Sequence, residues 1–254
     1  MKKILLILST VFAFVSCITV NTIFPSGNIT TENKYVDQFQ RIDVSAGIEL
    51  IVSNGQQEVQ IETYENIHRY IDVYVRNNCL YIKPSGHISF GGKTRIKAYV
   101  TNDIIQKIEA SGGSHVVISQ KIISEQLSLI GSGGSHIEGA IECNNLEIEL
   151  GGGGEAELSI NCASLKGNSS GGSVFDLEGV TERADINISG GGVMNGFYLA
   201  CGSLYAQLSG GSEINSSVTN HISADLSGGS KLKYKGNPEI KANTSGGSKV
   251  INAN

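Results

Sequence analysis

Apolar residues recur at every second position in a series of short segments along this chain, and a pair of glycines follows each segment. Leu146, Ile148 and Leu150 form one such set, as do Ala184, Ile186 and Ile188, then Leu204, Ala206 and Leu208, then Ile222, Ala224 and Leu226. A period of two places these side chains on one buried face of a strand, with polar neighbours on the other. The glycine pairs begin at Gly112, Gly133, Gly152, Gly171, Gly190, Gly210, Gly228 and Gly246, so successive copies lie 18 to 21 residues apart. A second alternating stretch follows each pair, usually after a serine, as in Ser212-Glu213-Ile214 and Ser230-Lys231-Leu232-Lys233-Tyr234. Each unit is therefore two short strands and two bends.

No such unit buries its apolar face alone, so the copies must stack. Coils of about 19 residues in parallel register predict an all-β fold, a single-stranded parallel β-helix or β-solenoid, with neighbouring coils ~4.8 Å apart. Glycine suits the bends because the chain turns sharply there and the backbones of adjacent coils approach closely.

The N-terminal region follows the same plan with an interruption. Arg41-Ile42-Asp43-Val44-Ser45-Ala46-Gly47 matches Lys107-Ile108-Glu109-Ala110-Ser111-Gly112-Gly113 in character, and the match continues to Ser53 and Ser119. Residues 41–53 thus read as the first coil, 54–105 as an antiparallel β insertion, and 106–254 as the repeated coils. Within the insertion Glu58 to Tyr64, Tyr70 to Lys83 and Thr94 to Val100 alternate as strands, with Asn77-Asn78 as a hairpin turn. Such an insertion is expected to cover the open edge of the first coil.

From about Tyr35 to Asn254 the chain resembles the GIN-domain family of bacterial envelope proteins, often labelled auto-transporter adhesin head domains. The resemblance rests on Phe39-Gln40-Arg41-Ile42-Asp43-Val44-Ser45, on Glu65-Asn66-Ile67 through Leu80-Tyr81-Ile82, and on the Ser-Gly-Gly-Ser coils. It implies a right-handed parallel β-helix-like fold in a secreted or lipid-anchored protein, and it brings no agreed site residues.

Composition narrows the classes. Glycine supplies 32 of 254 residues beside only 3 prolines, and without triplet spacing this is not collagen-like. A 40% hydrophobic content with a net charge of -5 argues for a folded chain. The mildly acidic balance leaves no footprint for nucleic acid.

The start, MKKILLILSTVFAFVSC, has two lysines, an apolar run from Ile4 to Val15 and a small residue before Cys17. It reads as a signal peptide over residues 1–16, too short to span a membrane. Phe14-Val15-Ser16-Cys17 resembles a bacterial lipobox, which makes Cys17 the lipid attachment site and the membrane a partner through the acyl chains. No Asp follows Cys17 and no acidic cluster succeeds it. By analogy with lipoprotein sorting, an outer-membrane lipoprotein on the periplasmic face is favoured, with the cell surface left open. Residues 17–34 read as an acylated N-terminus and flexible tether.

Candidate chemistry is sparse. Aligning the coils on the glycine pairs puts His115, His136 and Glu155 in one column, close enough on adjacent coils for two imidazoles and a carboxylate to share a divalent metal. The plainer reading is an exposed ladder, since the column continues as Val174, Val193, Glu213, Lys231 and Lys249. Cys143 and Cys162 also align one coil apart, within reach of a disulfide, whereas Cys79 has no evident partner. Gly86 to Thr94 approaches a phosphate-binding loop, but His87 stands in place of a required glycine and no helix follows. No cofactor is implied.

Two function classes follow. The first is a non-catalytic binding, adhesin-like or scaffolding module whose strand faces and serine-rich edge contact a polysaccharide or envelope protein. The second is a carbohydrate-active enzyme, which needs a carboxylate pair; Glu147, Glu149, Glu155 and Glu157 instead alternate along strand faces. The last coil, Ser245 to Asn254, ends without a helix or a Pro-rich cap, so its edge is open either as a polar monomer end or to an end-to-end homodimer.

Overall fold

The computed structural model describes residues 21–254; the signal peptide and Cys17 lie outside them. The repeated coils form a parallel β-solenoid of about 8 turns. Nineteen strands occur in these residues: β1 (Asn21–Ile23), β2 (Ile29–Asn33), β3 (Arg41–Ser45), β4 (Glu49–Ser53), β5 (Glu58–Tyr64), β6 (Ile71–Arg76), β7 (Cys79–Pro84), β8 (Ile88–Phe90), β9 (Lys97–Thr101), β10 (Lys107–Ser111), β11 (His115–Gly131), β12 (His136–Leu150), β13 (Glu155–Gly171), β14 (Val174–Gly190), β15 (Val193–Leu208), β16 (Glu213–Leu226), β17 (Lys231–Lys235), β18 (Glu239–Thr244) and β19 (Lys249–Asn252). In β11 to β16 the two short strands expected for each unit run on as one long strand, bent but unbroken between successive glycine pairs.

The register is the one that the sequence alignment demands. Residues 41–45 pair in parallel with 107–111, and Glu49 lies opposite His115, so the first coil lies directly beside the coil it resembles. Alternation along each strand stacks like residues from coil to coil, as in Leu127, Leu146, Leu165, Ala184, Leu204 and Ile222. The resulting core is thin and aliphatic. Its largest fully buried side chain is Phe175, and Gly167 makes room for it: a Cβ there would lie 2.9 Å from Ile186 and about 4 Å from the Phe175 ring.

At the bends, from Gly133 onward, the first glycine of each pair touches the first glycine of the coil before it, whereas Gly112 meets the Ala46 backbone. Gly228 has φ +68, and a Cβ on it would stand 2.8 Å from the Gly210 nitrogen, so both backbone conformation and close approach exclude a side chain. Gly229 has φ +86 but open space around it, and at Gly172 neither constraint applies. After four of the eight pairs a buried serine closes the bend: Ser114, Ser173, Ser212 and Ser230 each donate from Oγ to the carbonyl three residues earlier, at 2.6–3.0 Å.

The insertion differs from its expected form. β6 and β7 do make an antiparallel hairpin through Asn77 (φ 51) and Asn78 (φ 62), and β5 pairs antiparallel with β9. Yet β7 and β9 run parallel to β3 and β4, adding one more coil to the solenoid before the antiparallel layer begins. Alternation reveals which face is buried but not the direction of pairing.

Residues 21–33 also depart from the tether reading. β2 pairs antiparallel with β5, and β1 pairs in parallel with β8. The segment is held by contacts from far along the chain: the buried His68 ring meets Thr30 Oγ1 at 3.0 Å, and Asn66 Nδ2 donates to the Phe24 carbonyl at 2.9 Å. These partners carry no local pattern, so the stretch looks featureless in sequence.

Candidate functional site

Two faces of the solenoid are grooved. The larger groove, about 890 Å³, crosses the coils just before the glycine bends. Its rungs are register partners: Glu149, Asn168, Asn187, Gln207 and Asp225 follow one another on successive coils. Asn187 Nδ2 donates to Asn168 Oδ1 at 3.1 Å, and beyond the groove Asn243 Nδ2 donates to Asp225 Oδ1 at 2.8 Å. Ser132, Ser170, Ser189, Ser209 and Ser227 line its rim. Two residues earlier on the same strand, Tyr205 lies under the Arg183 guanidinium at 3.8 Å, which is in turn bound through two nitrogens to Asp185. The groove therefore offers amide donors and acceptors at one-coil spacing with an aromatic ring beside them. A chemically repetitive ligand laid across the coils would meet the same groups again at each step.

The second groove, about 520 Å³, lies on the strand face after the bends. Val117, Glu138, Glu157, Asp176 and Asn195 succeed one another there in register, and Tyr198 stands at its edge with 86% of its surface exposed. Asn195 Nδ2 donates to Asp176 Oδ1 at 2.6 Å. Further along the neighbouring column, Glu213 accepts from Lys233 at 2.7 Å, and this bond holds its carboxyl below the usual glutamate range.

Beside this groove His115, His136 and Glu155 occupy one column as the alignment requires. The two imidazoles are 5.0 Å apart between centroids, and His136 Nδ1 lies 3.3 Å from Glu155. The carboxylate that reaches both rings is a different one. Glu138, two residues along the strand from His136, places Oε1 3.0 Å from His115 Nε2 and Oε2 3.7 Å from His136 Nε2. Column alignment misses Glu138; the signal was the i, i+2 relation that sets it on the same strand face.

A family model described as "Putative auto-transporter adhesin, head GIN domain" matches residues 38–238. The chain belongs to the GIN-domain family. No curated protein matches the sequence. Solved structures share the fold at low identity. A protein of Parabacteroides merdae ATCC 43184 described as a putative adhesin superposes with a TM-score of 0.86 at 17% identity, over 92% of this chain and 100% of that one. A protein of Parabacteroides distasonis ATCC 8503 described as a putative lipid binding protein does so with a TM-score of 0.82, at 17% identity and the same coverage. A putative adhesin of Bacteroides fragilis NCTC 9343 gives 0.68 at 22% identity, over 91% and 99% of the two chains.

The remaining sequence candidates fall into place on this GIN domain. Cys143 and Cys162 are register partners, and both are free, buried thiols rather than joined in the bond open to them. Cys162 Sγ instead donates to Thr181 Oγ1 at 3.5 Å. Burial pushes the Cys143 thiol up to about 12 and Cys201 to about 11, which leaves almost no thiolate at neutral pH. The loop between Gly86 and Thr94 carries β8, a strand paired with β1, where a phosphate site needs a helix N-terminus.

Proposed function

We propose that this GIN domain is a non-catalytic, adhesin-like binding module of the cell envelope that holds an extended polymer, a polysaccharide or an envelope protein, along its larger groove. The observation that carries this reading is the run of Asn168, Asn187 and Gln207 at one-coil spacing along the groove. The family description supports the adhesin class. Support for a non-catalytic role comes from the carboxylates: Glu147 is engaged by Lys166 at 2.6 Å and Glu155 by His136 at 3.3 Å, both on open strand faces.

In the same reading residues 1–16 are removed and Cys17 is acylated, giving an outer-membrane lipoprotein whose domain faces the periplasm or the cell surface. Cys17→Ser then shifts the chain from the membrane to the soluble fraction. An end-to-end homodimer through β18 and β19, each paired on one side only among the described residues, is the alternative to a polar-edged monomer; a monomeric sedimentation profile at high concentration removes it.

The deciding experiment sets the chain without its leader against a panel of polysaccharides and envelope proteins. Saturable binding without turnover is expected, weakened at least tenfold by Asn187→Ala combined with Gln207→Ala. Shortened polysaccharide products would replace this reading with a carbohydrate-active enzyme, and unchanged affinity in the double variant would remove the groove.

A further inference from the structure

We propose that His115, His136 and Glu138 form a site for a single zinc ion on the strand face opposite the core. The donor atoms of these three residues all lie within 4.8 Å of one another. Two ligand atoms on a tetrahedral zinc ion at about 2.0 Å are about 3.3 Å apart. Glu138 reaches the two imidazoles through different oxygens, Oε1 at 3.0 Å from His115 and Oε2 at 3.7 Å from His136, so a rotation of the carboxylate would bring one oxygen to that spacing.

Parallel register fixes the arrangement, because His115 and His136 are paired partners on adjacent coils and Glu138 shares the strand and face of His136. Two imidazoles and a carboxylate are the donor types that suit zinc, and three protein ligands leave a coordination position open to an outside oxygen. All three side chains are between 28% and 42% exposed, so an ion can reach them and small rotations can complete the geometry.

The surroundings favour a cation. Glu138, Glu157 and Asp176 stand directly opposite one another on three successive coils, an arrangement in which like charges repel. Elsewhere on the neighbouring column the acids are matched by lysines, as in Glu49 with Lys97 and Glu213 with Lys233. Among the described residues the ion-pair partners of Glu138 and Glu155 are the two histidines alone. A dication would neutralise charge that the imidazoles offset only when protonated.

The test is calorimetric titration of zinc chloride into the purified full chain after stripping with a chelator. One equivalent is expected to bind, with affinity falling at least tenfold in His136→Ala and in Glu138→Gln and by less in Glu155→Gln, whose carboxyl orients His136 through Nδ1. Cobalt substitution supplies a second readout, a visible absorption band that appears with the wild type and is absent from both weakened variants. Thermal melting of each variant separates loss of ligand from loss of fold. Absence of binding, or equal binding in the folded wild type, His136→Ala and Glu138→Gln, overturns the proposal. A loss in Glu155→Gln without one in Glu138→Gln overturns the assignment of the carboxylate.

Discussion

At the N-terminal end the outermost coil, β7 with β9, is covered by β6, β5 and β2, whereas at the C-terminal end β18 and β19 pair on one side only among the described residues. The contrast extends to burial. Val59, Ile61 and Ile67 of the insertion are at most 2% exposed, while every residue of β18 is exposed. Parallel stacking contains no instruction to stop; one edge is covered by a change to antiparallel pairing, and the other presents a polar strand edge. The last coil carries Lys241, Asn243 and Lys249, and its final turn is clasped by Asn254, which donates to the Gly236 carbonyl at 2.9 Å and accepts from its N–H at 2.8 Å. Charged and short edge strands discourage further pairing.

One charge placed at each end separates the two most strongly. Ile61→Asp buries a carboxylate in the cap and should cost at least ~4 kcal/mol, read as a collapse of the thermal midpoint or as insoluble protein. Ile240→Asp in β18, where the wild-type side chain is 38% exposed, should cost about 0.5 kcal/mol. Equal effects would mean that the insertion is an appendage and not a cap.

A smaller effect is expected along the bends that connect the ends. Gly228→Ala meets both the left-handed backbone and the Gly210 nitrogen, and should cost about 2–4 kcal/mol. Gly229→Ala meets only the backbone conformation, for about 1 kcal/mol, and Gly172→Ala should be silent. Thermal midpoints in that order support stacked glycines as a shared structural column; a reversed order for Gly228 and Gly229 would not.

The smallest effect is a matter of pH. Because the folded state lowers the Glu213 pKa, the bond to Lys233 stabilises the C-terminal coils above the ordinary carboxylate value of about 4.5 and is lost as the pH falls through the folded value. The contribution is about 0.5 kcal/mol, as for other partly exposed pairs. Protection factors of the β17 and β19 amides, corrected for intrinsic exchange, should therefore fall between pH 5 and pH 3 by more than those of β5, and Glu213→Gln should flatten the difference.

Coils, register and first-coil match were all legible in the sequence because a solenoid repeats its instruction. Ile42 and Ile108 resemble each other and end as neighbours for the same reason, a shared place in one stacked column. What escaped was set by single, unrepeated contacts. The direction of β7 and β9 depends on which edge was free, and the folding of residues 21–33 depends on His68 and Asn66, more than thirty residues away. The imidazole cluster was half legible: two histidines followed from the column, but the bridging carboxylate depends on side-chain reach along a strand. The grooves needed all the strands in place before their depth could exist.

The asparagine and glutamine rungs of the larger groove are repeated units. Each coil adds one rung and ~4.8 Å of reach, without changing the chemistry of any other rung. Gain or loss of a whole coil would therefore alter how many units of a polymer are held at once. Weak contacts made by one rung would combine as they do in a tethered multivalent binder, so the number of copies of a short repeat would set avidity while the residues within each copy set what is recognised.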